Sequence, residues 1–161
     1  RYMPGAELLI DALEIAHGRK TVGKRVVMIG GGMIGLTIAE FLQKAGHEVT
    51  VVEKEKRVGG DIMPTFKWRH TAWVDELGIE TVCSAELVKV TAEGATVKAA
   101  KGGERFIPCD NVIVSSPRRA NHDLFYEFQW MVDELHGGGD ATVPRGLDAA
   151  IQEGYKLGVR I

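Results

Sequence analysis

Residues Gly30-Gly31-Gly32-Met33-Ile34-Gly35 carry glycine at the first, third and sixth positions, and an acidic residue, Glu53, closes the next β-branched run. Glycines at this spacing do chemistry through the backbone. Gly30 permits a tight turn, Gly32 lets main-chain amides approach a diphosphate with no Cβ in the way, and Gly35 lets the following helix pack close to its strand. The unpaired amides of a first helical turn face an anion, with the helix dipole behind them. The expectation is a dinucleotide whose diphosphate is gripped by free amides at the mouth of residues 30–35. A flexible turn alone explains one glycine, not three at this spacing. Glu53 would accept hydrogen bonds from the ribose hydroxyls of the adenosine half and repel a 2′-phosphate, so NAD(H) is preferred over NADP(H). Lys54, Lys56 and Arg57 offer the alternative, an ion pair with such a phosphate. Lys54 is kept as a cofactor-binding candidate, while Lys56 reads as solvated loop.

A site of this kind needs a strand before the glycines, a helix after them and a second strand ending at Glu53. Residues 25–29, R-V-V-M-I, suit a strand buried on both faces of a parallel sheet. Residues 33–45 place Ile34, Ile38, Phe41, Leu42 and Ala45 on one helical stripe that stops at Gly46, and residues 48–53 form the second strand. Upstream, residues 8–16 predict a short helix stopped by Gly18. Downstream, the pattern predicts a helix over 64–77 with Pro64 in its first turn and a third parallel strand over 79–82. Three alternating runs, 87–91, 95–99 and 105–107, predict an antiparallel meander, and 111–115 returns to the apolar run of a central strand. Residues 121–136 read as helix in preference to an aromatic-rich strand and loop, and 144–161 as an amphipathic helix. The fold class is α/β: a three-layer Rossmann-like parallel sheet with an antiparallel β-meander crossover.

Composition agrees with a packed fold, since 45% of the 161 residues are apolar and 26% charged. A formal charge of -2 with no dense basic run argues against nucleic acid, and no apolar stretch approaches the roughly 20 residues that span a bilayer. The chain therefore reads as soluble and cytoplasmic. Cys83 and Cys109 sit in apolar contexts and form no C-x-x-C pair, and His17, His47, His70, His122 and His136 have no metal-ligand spacing. Redox work would fall to a bound cofactor. The run F-Y-E-F-Q-W at 125–130 is the place to look for an interface.

The stretches T-V-G-K-R-V-V-M-I-G-G-G-M-I-G-L-T-I-A-E-F-L and H-E-V-T-V-V-E resemble the pyridine-nucleotide domain of two-dinucleotide-binding flavoproteins. Together with M-P-T-F-K-W-R-H at 63–70, V-I-V-S-S-P-R-R at 112–119 and G-G-D-A-T-V-P-R-G-L-D-A-A-I-Q-E-G at 138–154, they look most like the C-terminal part of NADH:flavin oxidoreductases related to 2,4-dienoyl-CoA reductase and trimethylamine dehydrogenase. The resemblance implies a nicotinamide domain inserted between two halves of a flavin-binding domain: residues 1–24 a connector, 25–120 the NAD(P)-binding part, 121–161 the returning flavin-binding segment. It further implies that Gly139 and Asp140 hold the ribityl and phosphate end of FAD, and that Ser115, Ser116 and Pro117 leave the last strand beside the bound nucleotide. In an intact relative, hydride would pass from nicotinamide to flavin. FMN and an iron-sulfur cluster would belong, with a barrel domain, to N-terminal parts of the same polypeptide, and the fragment alone is expected to be inactive.

Related flavoprotein reductases often carry a glutamate two residues after the last glycine, where this chain has Thr37; Glu40, one turn further on, could substitute, although a helical Glu near K-A-G-H is more often a surface residue. That departure keeps a rival open, a non-catalytic module that binds ADP or another nucleotide and acts as an interdomain scaffold.

Overall fold

The computed structural model describes residues 3–100, 102–115 and 118–160; Ser116 and Pro117 lie outside the described residues. They fall in two compact units that divide between positions 116 and 117.

The first unit is built on a five-stranded parallel sheet. In chain order its opening elements are β1 (Leu9–Asp11), α1 (Ala12–Ala16), β2 (Arg25–Ile29), α2 (Met33–Lys44), β3 (Glu48–Glu53), α3 (Pro64–Glu76) and β4 (Glu80–Cys83). An antiparallel meander of β5 (Ala85–Thr91), β6 (Gly94–Ala99) and β7 (Glu104–Pro108) follows, and β8 (Asn111–Val114) returns to the parallel sheet, whose spatial order is β1-β8-β2-β3-β4. Successive strand residues point to opposite faces. Val26 and Met28 accordingly join the cluster under the helices, with Leu36, Ala39, Leu42, Val49, Val51 and Ile113. Val27 on the other face joins Val52, Val112 and the meander residues Val90, Ala95, Val97 and Ile107. Helices, parallel sheet and meander thus make the three layers, and a strand covered on both sides is apolar throughout.

Residues 8–16 are not one helix. A 3-10 turn at Ala6–Leu8 leads into β1, which pairs Leu9 with Val112 and Ile10 with Ile113, and Asp11 then caps α1 by accepting from the Leu13 amide at 2.8 Å. The helical spacing counted Leu8 and Leu13, which are exposed, whereas burial falls on Ile10, Ala12 and Ile15. A three-residue strand owes its existence to its partner, which lies about a hundred residues away in the chain.

The N-terminal end of β2 is held by Asp110, whose Oδ2 accepts from the Arg25 amide at 2.8 Å while Oδ1 accepts from the Arg25 guanidinium at 2.8 Å. These bonds, the amide first, hold the Asp110 carboxyl below the usual carboxylate range. A group depressed in the folded state stabilises above its unfolded pKa, and that contribution is lost as pH falls through the folded value. The difference in urea midpoint between this chain and Asp110→Asn should therefore be open at neutral pH and should close as the pH falls below the ordinary aspartate value of about 3.9 and on through the lowered folded value. A gap independent of pH would remove the charge from the explanation.

The second unit comprises α4 (Asp123–Phe128), a 3-10 turn at Gly139–Ala141 and α5 (Leu147–Gly158). Of residues 121–136 only six are helical, and the chain leaves α4 through a turn in which the Met131 amide donates to the Phe128 carbonyl. So short a helix has little stability of its own. Leu124, Tyr126, Phe128, Trp130 and Met131 are exposed, and His122, Phe125, Tyr126, Leu135 and Thr142 line a cleft of about 500 Å³. Among the described residues no helix is long and apolar enough to cross a membrane, and no group of three His, Cys, Asp or Glu side chains is placed to hold a metal ion.

Candidate functional site

Three parallel strands end together where the chain between them turns back. β2 pairs with β3 on one side and with β8 on the other, so the loop after β2 opens at the point where the sheet's connections diverge. In open α/β sheets that crevice, beyond the carboxyl ends of the strands, is where ligands bind. The Gly30–Gly35 loop, Glu53 and Ser115 all stand there. The Ser115 amide donates to the Ile29 carbonyl at 2.9 Å, and its Cβ lies 3.4 Å from where a Cβ on Gly30 would stand. Ser116 lies outside the described residues.

Two of the motif's glycines are required by backbone proximity. Gly30 has φ +96, the left-handed region that side chains disfavour, and a Cβ on Gly35 would overlap the Gly30 carbonyl oxygen. Helix and strand come this close because neither has a side chain between them. Helix α2 starts at Met33 from Gly32, a cap with no side chain to offer, and Ile34 is half-buried while Met33 is exposed.

Glu53 is the buried acidic residue of the site, 9% exposed. Its Oε2 accepts from the Gly31 amide at 2.6 Å and its Oε1 from the Glu55 amide at 2.9 Å. The carboxylate is therefore turned towards the glycine loop and locked there by two main-chain donors, a charge-assisted arrangement that also leaves lone pairs on both oxygens. Lys54, Lys56 and Arg57 are exposed on the loop that follows.

The first-turn amides are not all free, which corrects the expectation of an open mouth. The Met33 amide donates to Asp61 Oδ1 at 2.9 Å. The loop carrying Asp61 is tied down by the Gly59 amide, which donates to the Gly31 carbonyl at 2.7 Å, and by buried Ile62. Among the described residues no acceptor pairs with the amides of Gly32 or Ile34. Asp61 was not singled out by spacing because its partner is 28 residues away. The signal that could have found it is indirect: a helix that begins at glycine, with no acid in its first turn, leaves its amides to be satisfied from elsewhere.

Thr37 directs its hydroxyl to the Met33 carbonyl of its own helix at 2.8 Å, and Glu40 pairs with Lys44. Burial pushes the Cys109 thiol up, away from the reactive thiolate, and both Cys83 and Cys109 are free. Gly139 and Asp140 belong to the second unit. There the Gly139 amide donates to Glu153 Oε2 at 2.7 Å, and Asp140 accepts from the Arg118 guanidinium at 2.8 Å and from the Arg145 amide at 3.2 Å.

The family model described as pyridine nucleotide-disulphide oxidoreductase matches residues 4–139. A cinnamate reductase of Clostridium sporogenes is 29% identical over 163 residues, a match that covers 98% of this chain and 24% of that protein. A metal reductase of Desulforamulus reducens is 24% identical over 181 residues, covering 94% of this chain and 27% of its own length. Among solved structures, a 2-naphthoyl-CoA reductase superposes with a TM-score of 0.91 at 28% identity, over all of this chain and 25% of that one. The chain thus spans about a quarter of the length of the relatives it matches.

Proposed function

The chain belongs to the pyridine nucleotide-disulphide oxidoreductase family, and from that premise we propose that its first unit binds a nicotinamide dinucleotide for a flavin-dependent reductase. The reading rests on one observation: a glycine loop too crowded for any Cβ at Gly35, and a locked carboxylate at Glu53, meet at the diverging strand ends. In this reading Gly32, Met33 and Ile34 present amides to the diphosphate, Glu53 holds the adenosine ribose, and Gly30, Gly31 and Gly35 shape the loop. Ser115 would border the nucleotide from the end of β8, and Lys54 would border it from the end of β3; Ser116 is kept as a cofactor-binding candidate by its place in the sequence. The buried charge of Glu53 supports NAD(H) over NADP(H), because a 2′-phosphate would be repelled by a carboxylate that the fold holds in place. When bound, the reduced nicotinamide supplies a hydride for a flavin; the chain's own groups bind, orient and exclude water.

FAD is proposed for the longer polypeptide, with Gly139 and Asp140 at its ribityl and phosphate end. Asp140 is held in place by Arg118 and the Arg145 amide, and its oxygens retain lone pairs for a further donor. The wider assignment is to NADH:flavin oxidoreductases of the 2,4-dienoyl-CoA reductase and trimethylamine dehydrogenase kind, with barrel, FMN and iron-sulfur cluster in N-terminal parts; relatives about four times longer support a longer polypeptide, and the further domains rest on the sequence resemblance.

Thr37 favours a second reading. Its hydroxyl is spent on its own helix, and it stands where, by the sequence resemblance, related reductases often have a glutamate beside the nicotinamide. A scaffold that holds ADP would need none. Calorimetric titration separates the two: NADH binding clearly tighter than ADP is expected for a working nicotinamide site, whereas equal affinities would transfer the assignment to the scaffold.

A further inference from the structure

The carboxylate of Asp61 stands at the N-terminus of α2, where the dinucleotide reading puts a phosphate. Its Oδ1 accepts from the Met33 amide at 2.9 Å, and its Oδ2 comes within 2.8 Å of the point a Cβ on Gly32 would occupy. Because the helix has glycine at its cap and no acid in its first turn, the negative charge its dipole favours arrives from the loop between β3 and α3. The space that Gly32 leaves open is filled by a carboxylate.

We propose that Asp61 is an internal competitor of the diphosphate: phosphate-bearing ligands enter only when its carboxylate leaves the Met33 amide, and this exchange sets their affinity. The proposal rests on the dinucleotide reading of the same site. Two anions at one helix terminus repel each other, and only one of them can take the amide. The loop is built for the exchange. Gly59 and Ile62 are its anchors, the first bonded to the Gly31 carbonyl and the second buried, while Asp61 between them is exposed and a Cβ on Gly60 would meet no atom within 4 Å. The carboxylate can turn into water with both anchors in place. Glu53 takes no part, since its oxygens are held by the amides of Gly31 and Glu55.

The test is titration of NADH, ADP and adenosine into the chain and into its Asp61→Asn and Asp61→Ala variants, with thermal melts of each. Asp61→Ala should bind NADH and ADP about tenfold more tightly, because the competent state no longer has to be released from a bound carboxylate. Asp61→Asn should fall between, since its amide oxygen still accepts from Met33 without the charge. Adenosine, lacking phosphate, should bind all three alike. Without ligand, Asp61→Ala should melt below the parent chain, having lost the acceptor for an N-terminal amide. Lower intrinsic stability with higher affinity distinguishes competition from general loosening. NADH binding that is unchanged or weaker in Asp61→Ala overturns the proposal, as does an equal gain for adenosine. If none of the three proteins binds NADH or ADP while all melt cooperatively, the dinucleotide reading fails, and the proposal falls with it.

Discussion

Gly35→Ala is expected to lower the stability of the chain by about 3 kcal/mol, at the upper end of the usual cost of overpacking, and to abolish nucleotide binding. The added methyl has nowhere to go. It would overlap the Gly30 carbonyl oxygen, and behind that lies the Cβ of Ser115, 3.6 Å from the methyl position. A flexible side-chain tip can swing aside at little cost, but a backbone carbonyl moves only with its peptide. Relief therefore requires α2 to back away from β2, which opens the cluster formed by Leu36, Ala39, Met28 and Val26 and carries the loop amides out of register with a diphosphate. Urea denaturation provides the measurement, with Gly154→Ala as the comparison. Gly154 lies within α5, where a Cβ meets nothing within 4 Å, so alanine there should stabilise by about 0.5 to 1 kcal/mol through reduced backbone entropy. Equal midpoints for Gly35→Ala and the parent chain would show that the close approach of helix and strand is dispensable.

Removing the Glu53 carboxylate should have the second large effect, and it acts on both fold and ligand. Glu53→Ala leaves the Gly31 amide without its acceptor in a buried place, which costs about 1 to 3 kcal/mol of stability, and removes the carboxylate proposed to hold the ribose, which should cost about 1 to 3 kcal/mol of NADH binding. Glu53→Gln separates these roles. Its amide oxygen can still accept from Gly31, but its amide nitrogen then faces the Glu55 amide, donor against donor. NADH affinity should fall less than in the alanine variant, and NADPH should gain on NADH by about tenfold as the buried negative charge disappears and Lys54, Lys56 and Arg57 act unopposed on a 2′-phosphate. An unaltered NADPH to NADH ratio would remove Glu53 from the preference for NADH proposed above.

Both predictions concern residues that could be named before any coordinates were known, because the chemistry is written in local terms. Glycines at three set positions after a β-branched run, a stripe of apolar residues at helical spacing, and an acid at the end of the next run all concern neighbours along the chain. The meander was equally visible, since alternating runs separated by E-G and K-G-G need no distant information to be recognised as turns between strands. Its three strands, Ala85–Thr91, Gly94–Ala99 and Glu104–Pro108, differ from the expected runs mainly by one or two residues at their ends. The same holds for α3 and β4.

Features created by long-range pairing were not visible. β1 has three residues, and its side chains suited a helix as well as a strand; pairing with β8 decided the matter by satisfying its backbone and burying Ile10. The second unit shows the opposite case, an aromatic-rich segment whose composition promised a longer helix than the six residues of α4.

At the site itself, residue types and order along the chain were enough to identify a glycine loop and its acidic companion. They could not say that Glu53 spends both oxygens on main-chain amides, or that a second carboxylate, Asp61, reaches the helix start across a turn of the loop. Hydrogen-bond geometry extends over only a few ångströms in space, whereas sequence patterns register only neighbours along the chain. Strand pairing and loop closure bring positions 31, 33, 53, 61 and 115 together in this protein, so folding alone determined which amides at the mouth of the loop are free and which are already taken.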